Sequence, residues 1–135
     1  MENITDSTQT ELAAACILLS VSDADEILED QELDTINVIL QDFFRLDEKT
    51  ASSLMEKAQS EWKDSTDLFQ FGNQLNEGFS HNDKIDFINC VFEVAYADGE
   101  LHYLEHHTIK KIANILNLHR DDIITAKAEI ESYLD

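Results

Sequence analysis

The stretch Ala97-Asp98-Gly99-Glu100-Leu101, which continues through His102, Tyr103 and Leu104 to Glu105, decides the fold. Its Asp-Gly pair favours a tight turn, because glycine accepts positive φ and aspartate bonds to nearby backbone amides. Apolar residues recur at helical spacing on both sides of it. The stretch therefore predicts an acidic turn between two amphipathic helices.

The composition of the whole chain also favours helices. Its 135 residues are 43% hydrophobic and include no proline and only three glycines, so most of the usual helix-ending and turn-forming signals are missing. A chain of this length has room for one ordinary domain with a single core. We predict an all-α fold, in which residues 1–135 form a single compact bundle of about seven helices.

Apolar residues at positions i, i+3, i+4 and i+7 mark the individual helices, most clearly at Ile36, Ile39, Leu40 and Phe43. Capping residues place the boundaries between them. The first predicted helix is capped by Thr8 or Thr10 and runs through Val21, and the second ends near Phe44. The third is capped by Asp47 and the fourth by Asp64 or Ser65. The fifth begins with a capping box of Ser80 and Asp83 and ends near Ala97, the sixth ends near Asn117, and the seventh begins near Asp121.

The charge of the chain limits its partners. Asp and Glu outnumber Lys and Arg by 29 to 9, which gives a formal net charge of −20. Such a molecule repels phosphate backbones, so we do not expect it to bind nucleic acid. A negative field of this size suits cations or basic protein surfaces, and it also serves plain solubility.

Two further features bear on location. Cys16 and Cys90 lie within apolar helical patterns, where a thiol behaves as a small buried hydrophobe, and two such residues do not form a disulfide framework. The apolar run from Leu12 to Val21 is too short to span a bilayer, and the acidic N-terminus has no basic region before it. We expect a cytoplasmic protein without export or membrane insertion.

The chain contains an internal repeat. A shift of 73 positions aligns Asp25 with Asp98, Glu32 with Glu105 and Ile36 with Ile109, and after one inserted residue Leu46 meets Leu118. We predict two related helix-turn-helix halves, roughly 8–46 and 81–134, around a pseudo-twofold axis, with connecting helices in roughly 47–79.

The acidic turns have a purely structural interpretation. Glu105 follows His102 by three residues, so it can complete a capping box or favour the positive end of the next helix. Glu29 and Glu32 can act in the same way in the first half.

A cation site is the first chemical alternative. If Gly99 is the sixth residue of an EF-hand loop, Asp98 and Glu105 occupy ligand positions five and twelve, but Val94 and Tyr96 fall at positions one and three. The calcium ligand set is then about half complete, so we do not expect a true EF-hand. A weaker divalent site that uses Asp98, Glu100 and Glu105 remains a hypothesis, because hard cations bind clustered oxygen ligands.

Catalytic chemistry has less support. His102, Glu105 and His106 match the zinc pattern H-x-x-E-H, but the remaining chain leaves little room for a further ligand and a substrate site. The two cysteines occupy predicted core positions, and no Ser/His/acid arrangement stands at a strained turn. We expect that the protein is not an enzyme.

Several stretches together resemble the tellurite-resistance TerB family, which includes the N-terminal domain of the co-chaperone DjlA. The resemblance rests on the acidic stretch 97–105 and covers nearly the whole chain; the matching segments are Asp67–Phe71, Leu75–Glu77, Ile112–Leu118 and Ile124–Lys127. It is closest to the small stand-alone branch. It implies a compact, all-helical bacterial domain with paired acidic motifs, for which divalent-metal binding has been suggested, and without a firmly assigned enzymatic activity.

The resemblance also implies a set of metal-ligand candidates, which are Asp98, Glu100 and Glu105 in the second half and Asp25, Glu29 and Glu32 in the first. The first copy departs from the family pattern, because Glu26 replaces the favoured glycine and Ile27 the favoured glutamate. A symmetric pair of sites is therefore in doubt.

These observations lead to a hypothesis with one alternative. The protein is a cytoplasmic, acidic helical binding or scaffold module that engages a protein partner, with a divalent cation at its acidic turns; a role in stress or tellurite resistance is implied by resemblance only. The alternative is a metal-independent interaction module whose acidic surface binds a basic partner.

Overall fold

The computed structural model describes the backbone of residues 2–22, 30–64, 67–97, 101 and 103–133. These residues form seven helices and no strand, which confirms the predicted all-α bundle. The helices are α1 (Glu2–Ser22), α2 (Asp30–Phe44), α3 (Glu48–Asp64), α4 (Leu68–Gly78), α5 (His81–Ala95), α6 (Tyr103–Ile115) and α7 (Arg120–Ser132).

Helix α1 is the centre of the bundle. It packs most extensively on α3 and α4, and it also contacts α2, α5 and α6. All its residues from Ala13 to Ser22 are buried, as expected for a helix whose whole circumference is covered by protein. Within the described residues, neither α1 nor any other helix combines the length and hydropathy needed to cross a membrane.

The predicted start of α1 is wrong. Thr8 and Thr10 are not caps, because the helix already begins at Glu2 and no proline or glycine precedes them to stop it. The Thr10 side chain is buried and lies against Gly78 in α4. A Cβ added at Gly78 would lie 2.5 Å from Thr10 Oγ1, so the two helices meet closely at this crossing.

Two of the predicted caps are confirmed. Asp47 Oδ1 accepts a hydrogen bond of 2.7 Å from the Thr50 amide at the start of α3. At the start of α5, Ser80 Oγ accepts from the Asp83 amide at 3.1 Å, and Asp83 Oδ2 accepts from the Ser80 amide at 3.0 Å. Both arrangements satisfy amides that have no partner within the helix.

The predicted cap of α4 is wrong. Asp67 Oδ1 accepts hydrogen bonds from the amides of Phe69 (3.0 Å) and Gln70 (3.3 Å). Asp64 is instead the last residue of α3, and Ser65 lies outside the described residues. Asp67 is the cap because it directly precedes the first turn, where the backbone amides have no partner within the helix.

The boundaries of the last three helices fall within two residues of their predicted positions. Helix α5 ends at Ala95 rather than near Ala97, and α6 ends at Ile115 rather than near Asn117. Helix α7 begins at Arg120, one residue before Asp121. The chain leaves α6 early because Asn117 has a φ of 61°, which is incompatible with a continued right-handed helix.

Local structure recurs at the spacing of the internal repeat. Helices α2 and α6 are each followed by a residue of positive φ, Arg45 (57°) and Asn117 (61°). In each case the next amide bonds to the carbonyl five residues back, at 2.9 Å from Leu46 to Gln41 and at 2.9 Å from Leu118 to Ala113. Both are Schellman-type helix ends. The pseudo-twofold axis and the halves 8–46 and 81–134, joined through 47–79, stay predictions.

Candidate binding surfaces

Only two of the six candidate metal ligands belong to the described residues. Asp25, Glu29, Asp98 and Glu100 lie outside them. Glu32 and Glu105 are the third residues of α2 and α6, and their side chains are only 2% and 0% exposed. The helix register fits the predicted capping-box position, but the burial was not predicted.

The residues that follow these two glutamates behave alike. Each glutamate has an interaction partner, which a buried carboxylate requires because its desolvation is costly. Three residues after each glutamate, a threonine hydroxyl donates to the carbonyl four residues back, at 2.8 Å from Thr35 and 3.0 Å from Thr108. Ile36 and Ile109 follow at once and are fully buried. The repeat therefore places a carboxylate in the interior twice.

The cation site stays a prediction. Among the described residues, no three or more His, Cys, Asp or Glu side chains are arranged to hold a metal ion. The carboxylates at the centre of the predicted site lie outside that part of the chain. For the zinc pattern, Glu105 lies in the interior whereas the next residue, His106, lines a surface groove, and His102 is outside the described residues.

A groove with acidic walls lies between α2 and α5. It has a volume of about 710 Å³. We call it the acidic groove. Five carboxylates, one base and several apolar or neutral side chains form its described lining: Asp34, Asp42, Asp83, Asp86 and Glu93; Arg45; and Thr35, Val38, Ile39, Phe43 and Cys90.

The carboxylates of the acidic groove act on one another. The pKa of Glu93 is raised, first because burial disfavours its charged form and then because Asp42 is nearby. The pKa of the Cys90 thiol is raised to about 12 by burial and then by Glu93, Asp86 and Asp42. Side chains from both helices thus line one space beside the exposed apolar side chain of Val38.

A second groove, of opposite charge, lies between α6 and α7. It has a volume of about 840 Å³. We call it the basic groove. Its described lining consists of four bases, two histidines and four other residues, with no aspartate or glutamate: Lys110, Lys111, Arg120 and Lys127; His106 and His107; and Asn114, Leu118, Ile123 and Ile124.

Comparison with known families gives a clear match. The family model described as Tellurite resistance protein TerB matches residues 11–128, from the middle of α1 into α7. The chain belongs to the TerB family. Searches of curated proteins and of solved structures found no match. The family resemblance of the sequence is thus confirmed over most of the chain.

Neither groove of this TerB-family protein was predicted, although the sequence carries a signal for each. On α2, Asp34, Val38 and Asp42 are spaced by four residues and share one helix face. On α6, His106, Lys110 and Asn114 have the same spacing. Each stripe forms one wall of a groove. The other wall comes from a different helix, α5 or α7, so only the packing of the helices brings the two walls together.

Proposed function

We propose that this TerB-family protein is a non-catalytic, cytoplasmic interaction module that binds a basic segment of a partner protein in its acidic groove. The observation that supports the proposal is the convergence of five carboxylates from α2 and α5 around apolar side chains. A net charge of −20 adds long-range attraction for a basic partner.

The chemistry of the groove defines the partner. Carboxylates accept hydrogen bonds from lysine and arginine, whereas Val38 and Phe43 offer apolar contacts between the charges. A segment that carries both basic and apolar residues satisfies both requirements, as an amphipathic helix does when it lies in a groove. The Cys90 thiol, with its pKa raised to about 12, stays protonated at neutral pH, which favours binding over nucleophilic catalysis.

A fluorescein-labelled peptide of lysine and leucine, with the leucines at helical spacing, tests the proposal. We expect saturable binding by fluorescence anisotropy and a loss of affinity of about tenfold or more in the double variant Asp42→Asn/Asp86→Asn, because charged hydrogen bonds are removed. Binding should also weaken as NaCl increases.

The matched control is Glu56→Gln/Glu61→Gln, which removes the same charge from exposed positions on α3. Its affinity for the peptide should stay close to that of the unmodified protein. Equal losses in the two double variants would mean that the net charge, and not the groove, attracts the peptide, and the proposal would then fail.

A divalent cation at the acidic turns is a separate part of the proposal. Its support is the acidic pattern around Asp25, Glu29, Asp98 and Glu100, together with the buried Glu32 and Glu105 at the helix starts that follow. Calorimetry on chelator-treated protein with Ca²⁺, Mg²⁺, Mn²⁺ and Zn²⁺ tests it. We expect heat with at least one ion, and metal-dependent melting that Asp98→Ala abolishes. If no ion gives heat and Asp98→Ala changes nothing, the protein acts without metal.

A further inference from the structure

We infer that the basic groove between α6 and α7 is a second docking site, which binds a short segment of a partner protein that alternates acidic and apolar residues. Lysines 110, 111 and 127 and Arg120 pair with the carboxylates, and the apolar side chains contact the floor of the groove. The inference is independent of the acidic groove, because the two sites share no residue.

Charge is the first argument. The chain has only nine Lys and Arg residues against 29 Asp and Glu residues. Four of the nine nevertheless line this one groove, together with two histidines. Positive charges close together repel one another, and an anion between them adds an attraction that offsets the repulsion. The pKa of His106 reflects that environment, because burial lowers it first and then Lys127 and Lys110 lower it further. An acidic ligand would relieve this repulsion.

The apolar floor is the second argument. Leu118 and Ile123 belong to the lining, and Ile124, which is 53% exposed, stands among the bases. A large apolar side chain gains nothing from a simple anion such as phosphate. It is stabilised by contact with another apolar side chain, at about 25 cal/mol for each Å² removed from water. The lining therefore fits a ligand that carries both kinds of group.

The basic groove is already formed without a ligand. Both α6 and α7 pack against α5, which holds their separation. The connection between them is fixed by the positive-φ turn at Asn117 and by the bond from the His119 amide to Asp122 Oδ2, at 3.0 Å. A preformed site loses little ordering entropy when a ligand binds.

Nucleic acid is the competing macromolecular ligand, and the observations favour a peptide. The described lining has no Phe, Tyr or Trp on which bases could stack. A long polyanion would also extend beyond the groove onto a surface whose overall charge is −20. A short peptide carries only a few charges and stays within a volume of about 840 Å³.

Fluorescence anisotropy with a short labelled peptide, in which glutamate alternates with leucine, tests the inference on the full chain. The double variant Lys110→Gln/Lys127→Gln should lose about tenfold or more in affinity. The control Lys57→Gln/Lys63→Gln removes the same charge from exposed positions on α3 and should keep its affinity. Ile124→Ser should weaken binding severalfold without any change in charge. Far-UV circular dichroism checks that each variant stays helical.

Several results would overturn the inference. Equal binding by the two lysine double variants, or equal binding of a glutamine-leucine peptide, would show that the charges of the groove do not matter. Competition by inorganic phosphate at the peptide's own concentration, or tighter binding of a single-stranded oligonucleotide, would point to a different ligand. Self-association of the protein that the same variants abolish would mean that a second copy occupies the groove. The lysine-leucine peptide separates this test from that of the acidic groove. Its affinity should not fall in Lys110→Gln/Lys127→Gln, so either site can fail alone.

Discussion

At the scale of single residues, the buried glutamates Glu32 and Glu105 are the least expected feature of the molecule. A carboxylate that is taken out of water remains stable only when other groups compensate its desolvation. The side chains are 2% and 0% exposed and occupy the same position in two helices. Both helices therefore place a carboxylate in the interior, where it loses contact with water.

This arrangement predicts a large effect of truncation. Glu105→Ala should lower the free energy of unfolding by roughly 2–4 kcal/mol, because removal of a fully buried side chain leaves a cavity in the interior. Urea denaturation followed by circular dichroism measures the change. Glu56→Ala, at an exposed position on α3, is the control and should stay within about 0.5 kcal/mol of the unmodified protein. If both variants unfold at the same urea concentration, the interior role of Glu105 is wrong.

At the scale of helices, the sequence predicted the positions that local chemistry determines. The apolar stripe of α2 lies inward, with Ile36, Ile39 and Leu40 buried and Phe43 packed against the core. The capping box of Ser80 and Asp83 forms as predicted, because it needs only residues of one turn.

Other features of the helices depend on groups that are distant in sequence. Thr10 has the chemistry of a cap, but it lies inside α1, and its side chain is buried against Gly78 in α4. Ile124 has the chemistry of a core residue, yet it is 53% exposed, whereas Ile130 on the same helix is buried. Tertiary packing decides such cases, and helical periodicity alone does not contain it.

The two grooves illustrate the same limit for the candidate sites. The acidic groove needs α2 beside α5, and the basic groove needs α6 beside α7. The sequence contains every charge in both, but a count of 29 acids and 9 bases does not reveal that four of the nine bases line one groove. The predicted cation site, in contrast, was read from local spacing, and it stays a prediction.

At the scale of the whole molecule, the net charge of −20 opposes the compact state through self-repulsion. The screening length falls from about 30 Å in 0.01 M salt to about 10 Å in 0.1 M salt, which brings it below the size of the bundle. We therefore expect NaCl to raise the Tm by about 3 °C or more over this range, measured by circular dichroism.

The charge variants of the two grooves should shift the Tm by amounts that depend on where the lost charges lie. Asp42→Asn/Asp86→Asn removes two negative charges that face other carboxylates, so its Tm should exceed that of the unmodified protein at low salt, and the difference should shrink as salt increases.

Lys110→Gln/Lys127→Gln removes two positive charges from a molecule that has few, but these charges repel each other and His106. Its Tm should therefore change less than that of Lys57→Gln/Lys63→Gln, in which the lost lysines lie outside that cluster and act mainly as compensation for the excess of acids. If the two lysine variants melt at the same temperature at low salt, the basic groove carries no local repulsion for a ligand to relieve.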